Sequence, residues 1–141
     1  MSGAELLRLA NDARRNAYAP YSDFSVGAAL LTADGTVFCG CNVENASYSA
    51  TCCAERAALF SAVAAGHRDF RAIAVVGGRV GQASKQVCPP CGVCRQVLSE
   101  LCGSELSVYL TDGSTEQCLT LGTLLPLAFG AASMQEREAR T

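Results

Sequence analysis

Two short stretches carry the residue types that metal chemistry needs. Thr51-Cys52-Cys53-Ala54-Glu55-Arg56 and Pro89-Pro90-Cys91-Gly92-Val93-Cys94-Arg95-Gln96 each open a segment that reads as a helix. One thiolate from the first and two from the second, Cys53, Cys91 and Cys94, would hold one zinc ion per chain. Three protein ligands leave the fourth tetrahedral position open to water, the arrangement of a catalytic rather than a structural site. Cys94 lies one turn beyond Cys91 on the same helix face, so one ion can bridge both. Cys53 and Cys91 are expected at helix N-termini, where the helix dipole and unpaired N–H groups favour the thiolate. Glu55 follows Cys53 by two residues, close enough to exchange protons with the water without ligating the metal.

Three thiolates on a divalent ion leave a net negative charge, which opposes ionisation of water. Arg56 can relieve it. A cation in the first turn of a helix meets the positive end of the dipole, and local rules tend to be broken where function demands it. Arg56 is therefore expected to donate hydrogen bonds to ligand sulfurs and tune the metal, with Arg95 as a second candidate.

Other readings of the same residues stand beside this one. Cys-x-x-Cys spacing also fits a redox pair or half of a structural zinc site. Cys52 and Cys88 could complete a four-sulfur cage with Cys91 and Cys94 in a non-enzymatic, zinc-stabilised module, although Glu55 has no task there. Glu55 could be an ordinary solvated acid at a helix start, but its near-apolar surroundings argue against that.

The totals narrow the class. The chain has 141 residues, read as a single domain over 1–141 and long enough for a real core. Half the residues are apolar, net charge is −2, and Lys85 is the single lysine. No basic cluster runs along the chain, so no nucleic-acid partner is expected. No apolar run reaches membrane-spanning length, and Met1 to Tyr18 lacks a signal-peptide pattern. Nine cysteines are an odd count without a secretory signal. They fit a reducing cytoplasm, with Cys39, Cys41, Cys102 and Cys118 as core or partly buried thiols. His67, the only histidine, follows Gly66 at a helix end and reads as a surface or capping residue.

Elements able to position the two stretches follow in order. Ser2-Gly3-Ala4-Glu5 is a capping box for an amphipathic helix ending near Tyr18 and stopped by Pro20. Phe24 to Thr32 and Thr36 to Val43 read as strands about an Asp34-Gly35 turn. Gly27 and Gly40 are small gaps in these strands and read as bulges or sites of close helix packing rather than as functional positions. The helix from about Cys52 to Ala65 has almost no polar face, which implies burial all round with subunit contacts on its far side. Ala72 to Val76 reads as a central strand, Gly77 to Gln86 as a polar loop, and Cys91 to Cys102 as a helix. Ser107 to Leu110 is a buried-type strand, Gln117 to Thr120 a short edge strand, and Leu121 to Phe129 a helix interrupted by Pro126. The charged tail from Gln135 onward is expected to be solvated. The fold class is α/β, a three-layer α/β/α sandwich around a five-stranded mixed sheet.

Cys-Ala-Glu followed by Pro-Cys-x-x-Cys is similar to the zinc deaminase signature in an all-cysteine form. Nearly the whole chain resembles the small homotetrameric cytidine deaminases of nucleoside salvage. The resemblance includes Ala17-Tyr18-Ala19-Pro20-Tyr21-Ser22, Val26-Gly27-Ala28-Ala29-Leu30, Gly40-Cys41-Asn42-Val43-Glu44-Asn45 and Leu124-Leu125-Pro126, besides the two cysteine stretches. It implies Cys53, Cys91 and Cys94 on zinc and Glu55 in proton transfer. It also implies Phe24 against the pyrimidine ring, Asn42 and Glu44 on the ribose hydroxyls, and Ala54 among the substrate contacts. Ala46 and Tyr48 match positions that reach the nucleoside of a neighbouring subunit, and Phe129 one that closes a neighbouring site. The expected reaction is hydrolytic deamination of cytidine and 2′-deoxycytidine in the cytoplasm, by a homotetramer whose sites are shared between subunits. A related aminopyrimidine nucleoside or nucleoside antibiotic is the alternative substrate. Cys52, Cys88, Val93 and the composition of Gly77 to Val87 depart from the family pattern.

Overall fold

The structure, a computed structural model, describes residues 1–135; the solvated tail expected from Gln135 onward lies, past Gln135 itself, outside the described residues. The first helix, α1 (Gly3–Ala13), starts at Ser2, whose hydroxyl accepts from Glu5 N at 3.1 Å. It passes into a 3-10 turn, Arg14–Asn16, and the chain becomes extended at Ala17. Strands β1 (Phe24–Thr32) and β2 (Val37–Cys41) form the hairpin. Then come α2 (Ala54–Ala64), β3 (Phe70–Arg79), α3 (Gly92–Cys102), β4 (Ser107–Thr111), β5 (Glu116–Thr120) and the short α4 (Leu121–Leu124) before Pro126.

The five strands lie in the order β2-β1-β3-β4-β5. Only β3 and β4 run parallel, joined through α3; the other neighbours are antiparallel. The alternation of side chains along a strand divides the core in two. Ala28, Leu30, Ile73 and Val75 face α2, α3 and α4, packing on Ala58, Leu59, Leu98 and Leu121. Ala29, Leu31, Ala72, Ala74 and Val76 face α1, packing on Leu6, Leu7 and Ala10. These are the three layers that the sequence predicts.

Three features differ from the sequence reading or sharpen it. The strand predicted to end at Val76 continues through Gly77, Gly78 and Arg79, because β1 supplies partners for each: Val26, Ser25 and Phe24. α2 is not buried all round in the single chain. Ala54, Glu55, Ala58, Leu59 and Ala62 form its buried stripe, while Phe60 is half exposed. Gly27 and Gly40 are points of close helix packing: a Cβ on Gly40 would lie 2.5 Å from Ala54 O and Ala58 N, so β2 receives the backbone of α2's first turns.

Among the described residues, Arg14 is the one long cation drawn into the core, at 7% exposure. Its Nε donates to Ser25 O at 3.2 Å and Ser25 Oγ at 3.3 Å, and Nη1 to Asn11 Oδ1 at 3.0 Å. Nη2 donates to Arg79 O at 3.2 Å and Gln82 O at 3.0 Å. This guanidinium ties the start of β1 to the end of β3. The apolar stripe already carries the signal, since Arg14 follows Leu7 and Ala10 at helical spacing. Arg14→Met keeps much of the stem but leaves several acceptors unpaired, and should cost about 2–4 kcal/mol in chemical denaturation. A loss below about 0.5 kcal/mol would show that water satisfies those acceptors.

Candidate active site

Cys53 stands at the N-cap of α2 and Cys91 at the N-cap of α3; neither side chain caps its own helix. Their sulfurs turn toward each other instead, 3.8 Å apart. Cys94, in the first turn of α3 and fully buried, completes a group of three sulfurs within 4.8 Å of one another. Helix N-termini meet there from two elements, so the backbone field favours negative sulfur from both sides. Arg56 reinforces it: Nη2 donates to Cys53 Sγ at 3.4 Å and to Thr51 O at 3.4 Å. The Cys53 thiol is pulled down to about 5, first by its hydrogen bond with Cys94 and further by Arg56 and Cys91. Cys94, the donor of that bond, is pushed up.

This donor set suits a soft or borderline metal ion such as zinc. Arg56 Nε is buried without a partner, a spare donor in the guanidinium that meets Cys53. Cys52 and Cys88 stand outside the group of three. The Cys52 thiol bonds Cys53 O at 3.6 Å. Cys88 is half-buried, and burial pushes its thiol up to about 11. Arg95 holds backbone rather than sulfur, donating to Pro90 O at 2.7 Å and Leu124 O at 2.8 Å. His67 packs edge-on against Phe38, with centroids 5.1 Å apart.

Glu55 is 4% exposed in the first turn of α2. Burial pushes its carboxyl up to about 7; the Cys53 charge acts in the same direction, and a bond from Glu55's own backbone N–H opposes both. A carboxyl titrating near neutrality can both take and give a proton, as general acid–base work requires. Ala54, the first residue of α2, is fully buried. Its backbone N–H lies outside the intrahelical ladder and is free for an external acceptor.

The remaining predicted site residues fall into two sets. Asn42, 8% exposed, is held by β1: its Oδ1 accepts from Val26 N at 2.8 Å and its Nδ2 donates to Phe24 O at 2.9 Å. Glu44 Oε1 accepts from Tyr21 N at 3.0 Å and Ser22 N at 3.1 Å, and Oε2 from the Ser22 hydroxyl. The Ser22 hydrogen bond holds the Glu44 carboxyl below its usual range. Phe24, 40% exposed, stands at the start of β1. Ser22, given no role of its own in the sequence reading, is thus part of the brace around Glu44; its place in the Ala17–Ser22 stretch that carries the resemblance is the signal. Outside this cluster, Tyr48 is 75% exposed and stacks edge-on with Tyr21, Ala46 is exposed, and Phe129 is 61% exposed with its carbonyl bonded by Gln96. A depression of about 370 Å³ lies between Tyr21, Glu44, Tyr48 and Thr51.

Residues 2–110 match the family model of the cytidine and deoxycytidylate deaminase zinc-binding region. The chain is 50% identical over 131 residues to the cytidine deaminase of Sporosarcina psychrophila, covering 92% of each. It is 51% identical over 132 residues to that of Halalkalibacterium halodurans, covering 93% of this chain and 96% of the relative. Among solved structures, the cytidine deaminase of Burkholderia pseudomallei superposes with a TM-score of 0.84 at 53% identity, over 92% of this chain and all of that one. The Mycobacterium tuberculosis cytidine deaminase gives 0.80 at 43% identity, over 92% and 98%.

Proposed function

The chain belongs to the cytidine and deoxycytidylate deaminase family, and from that premise we propose that it hydrolytically deaminates cytidine and 2′-deoxycytidine to uridine and 2′-deoxyuridine, releasing ammonia. The carrying observation is the buried Glu55 two residues beyond Cys53, beside the three-sulfur group.

Cys53, Cys91 and Cys94 would hold one zinc ion. Bound there, zinc supplies Lewis acidity that makes water nucleophilic near neutral pH. The chain's own residues do the rest. The Glu55 carboxylate takes a proton from the water that attacks ring carbon C4 and delivers it to N3; it then takes the remaining proton from the new C4 hydroxyl and passes it to the amine, which departs as ammonia as the C4–N bond breaks and the C4 carbonyl forms. Arg56 offsets the negative charge of the sulfurs through Cys53. Phe24 lies against the pyrimidine ring. Asn42 and Glu44 bind the ribose hydroxyls; both are already fixed by backbone bonds, so little orientational freedom is lost on binding. Ala54 adds a backbone contact.

The exposed aromatics Phe60, Tyr48 and Phe129 support a homotetramer in which Ala46, Tyr48 and Phe129 serve a neighbouring site. Among the described residues no helix is long and apolar enough to cross a membrane. The weak net charge and the free cysteines support a place in the cytoplasm, where the deamination would serve pyrimidine salvage.

Incubation with cytidine, 2′-deoxycytidine and cytidine monophosphate, followed by ammonia release and the ultraviolet change, tests the reading. Both nucleosides should be consumed with one ammonia per nucleoside. Turnover of the monophosphate in preference to either nucleoside would overturn it.

A further inference from the structure

β3 carries two successive glycines, Gly77 and Gly78, just before its last residue, and each empty side-chain position is filled from far along the chain. A Cβ on Gly77 would meet Cys88 Sγ at 2.7 Å, Cys88 Cβ at 2.9 Å and Phe24 Cε2 at 2.9 Å. On the opposite face, a Cβ on Gly78 would meet Arg14 Nη2 at 2.7 Å. Gly77 points with Ile73 and Val75 into the α2–α3 layer, the face that also carries Val26 and Phe24. The Phe24 ring and the Cys88 side chain therefore share the space above Gly77. Arg14 fixes the backbone beneath them through Ser25 and Arg79.

We infer that Cys88, seated on Gly77, is a positioning residue: the stop against which the Phe24 ring rests at the height the pyrimidine requires. The inference rests on the reading of Phe24 as the ring contact. Cys88 acts here through volume, neither as a metal ligand nor as a nucleophile. Phe24 is 40% exposed and borders an open depression of about 520 Å³ that also meets Gly77, which gives it room to move when the space over Gly77 is overfilled. Overfilling a packed contact displaces its softest member, and a ring displaced from its place over the base weakens substrate binding more than chemistry.

The test is steady-state kinetics with cytidine, with zinc content measured on each variant. Gly77→Ala should raise KM roughly fivefold with kcat changed less than about twofold. Adding Cys88→Ala to it should bring KM back to within about twofold of wild type, because the new methyl occupies the volume the sulfur leaves. Cys88→Ala alone should raise KM about two- to threefold, and carries the test if Gly77→Ala does not fold. Cys88→Ser, close in volume, should reverse that rise and keep the zinc. Unchanged KM in Gly77→Ala, a double variant no better than the single one, or zinc lost from Cys88→Ser would each overturn the inference. Phe24→Ala separates the two levels. If it raises KM while Gly77→Ala does not, only the role of Cys88 fails. If it leaves KM unchanged, the role of Phe24 falls and the inference with it.

Discussion

Glu55→Gln is expected to lower kcat on cytidine by about 10³–10⁴ while leaving one zinc per chain. The substitution preserves shape and hydrogen-bonding reach but removes the ability to hold and release a proton. Glu55 is almost fully buried, so solvent does not readily replace it. Its carboxyl, lifted to about 7 mainly by burial, suits both halves of a proton relay. An amide at this position stays neutral and removes a negative charge near Cys53, so the metal site should not weaken. Metal analysis beside kinetics distinguishes the outcomes. Zinc retained with activity lost assigns Glu55 to proton transfer. Near-wild-type kcat with zinc retained removes it from the mechanism.

Cys94→Ala should reduce zinc from one per chain to near zero and lower activity by about 10³ or more. Cys94 is the deepest of the three sulfurs, at 0% exposure, and lies within 4.8 Å of the other two. Its removal leaves two donors at two helix starts, too few to close a tetrahedral site around an ion and a water. Because metal binds the folded chain, the loss should also lower the melting temperature, by linkage worth about 2.7 kcal/mol where free zinc exceeds its dissociation constant a hundredfold. A chelator on the wild-type chain should reproduce both effects. Cys52→Ala is the control: its thiol bonds the Cys53 carbonyl and stands outside the sulfur group, so zinc content should stay at one. Zinc lost from Cys52→Ala but kept in Cys94→Ala would mean a different ligand set.

Much of this site can be read along the chain because its features are local. Cys91 and Cys94 are three apart, Glu55 and Arg56 follow Cys53 by two and three residues, and both stretches begin helices. Those spacings set which residues share a helix face, whatever surrounds them. The placement of Arg56 in the first turn, odd for a cation, marks it for the contact it makes with Cys53 Sγ. Strand β1 is equally legible over Phe24–Thr32, and the Asp34-Gly35 turn marks its hairpin with β2. The residues proposed for the ribose are different. Asn42 and Glu44 have the composition of a turn, and only resemblance to a family singles them out before the fold shows them braced against Val26, Phe24, Tyr21 and Ser22.

The order of elements, the paired cysteine stretches, the acid two residues past Cys53 and the mixed α/β class follow from residue type and short spacing alone, because helix and strand periods and cap positions are properties of a few consecutive residues. Long-range pairing settled the rest. Cys53 and Cys91 are 38 positions apart and meet at 3.8 Å because α2 and α3 begin on the same face of one sheet. Whether Cys52 or Cys88 joined them depended on side-chain direction, which spacing does not carry. The extension of β3 to Arg79, the burial of Arg14 and the shared space over Gly77 arise from the register of β1 against β3. Arg14 reaches acceptors 65 and 68 residues away. Such contacts leave only a faint local mark, since the energy that fixes them lies in partners the chain brings together when the sheet forms.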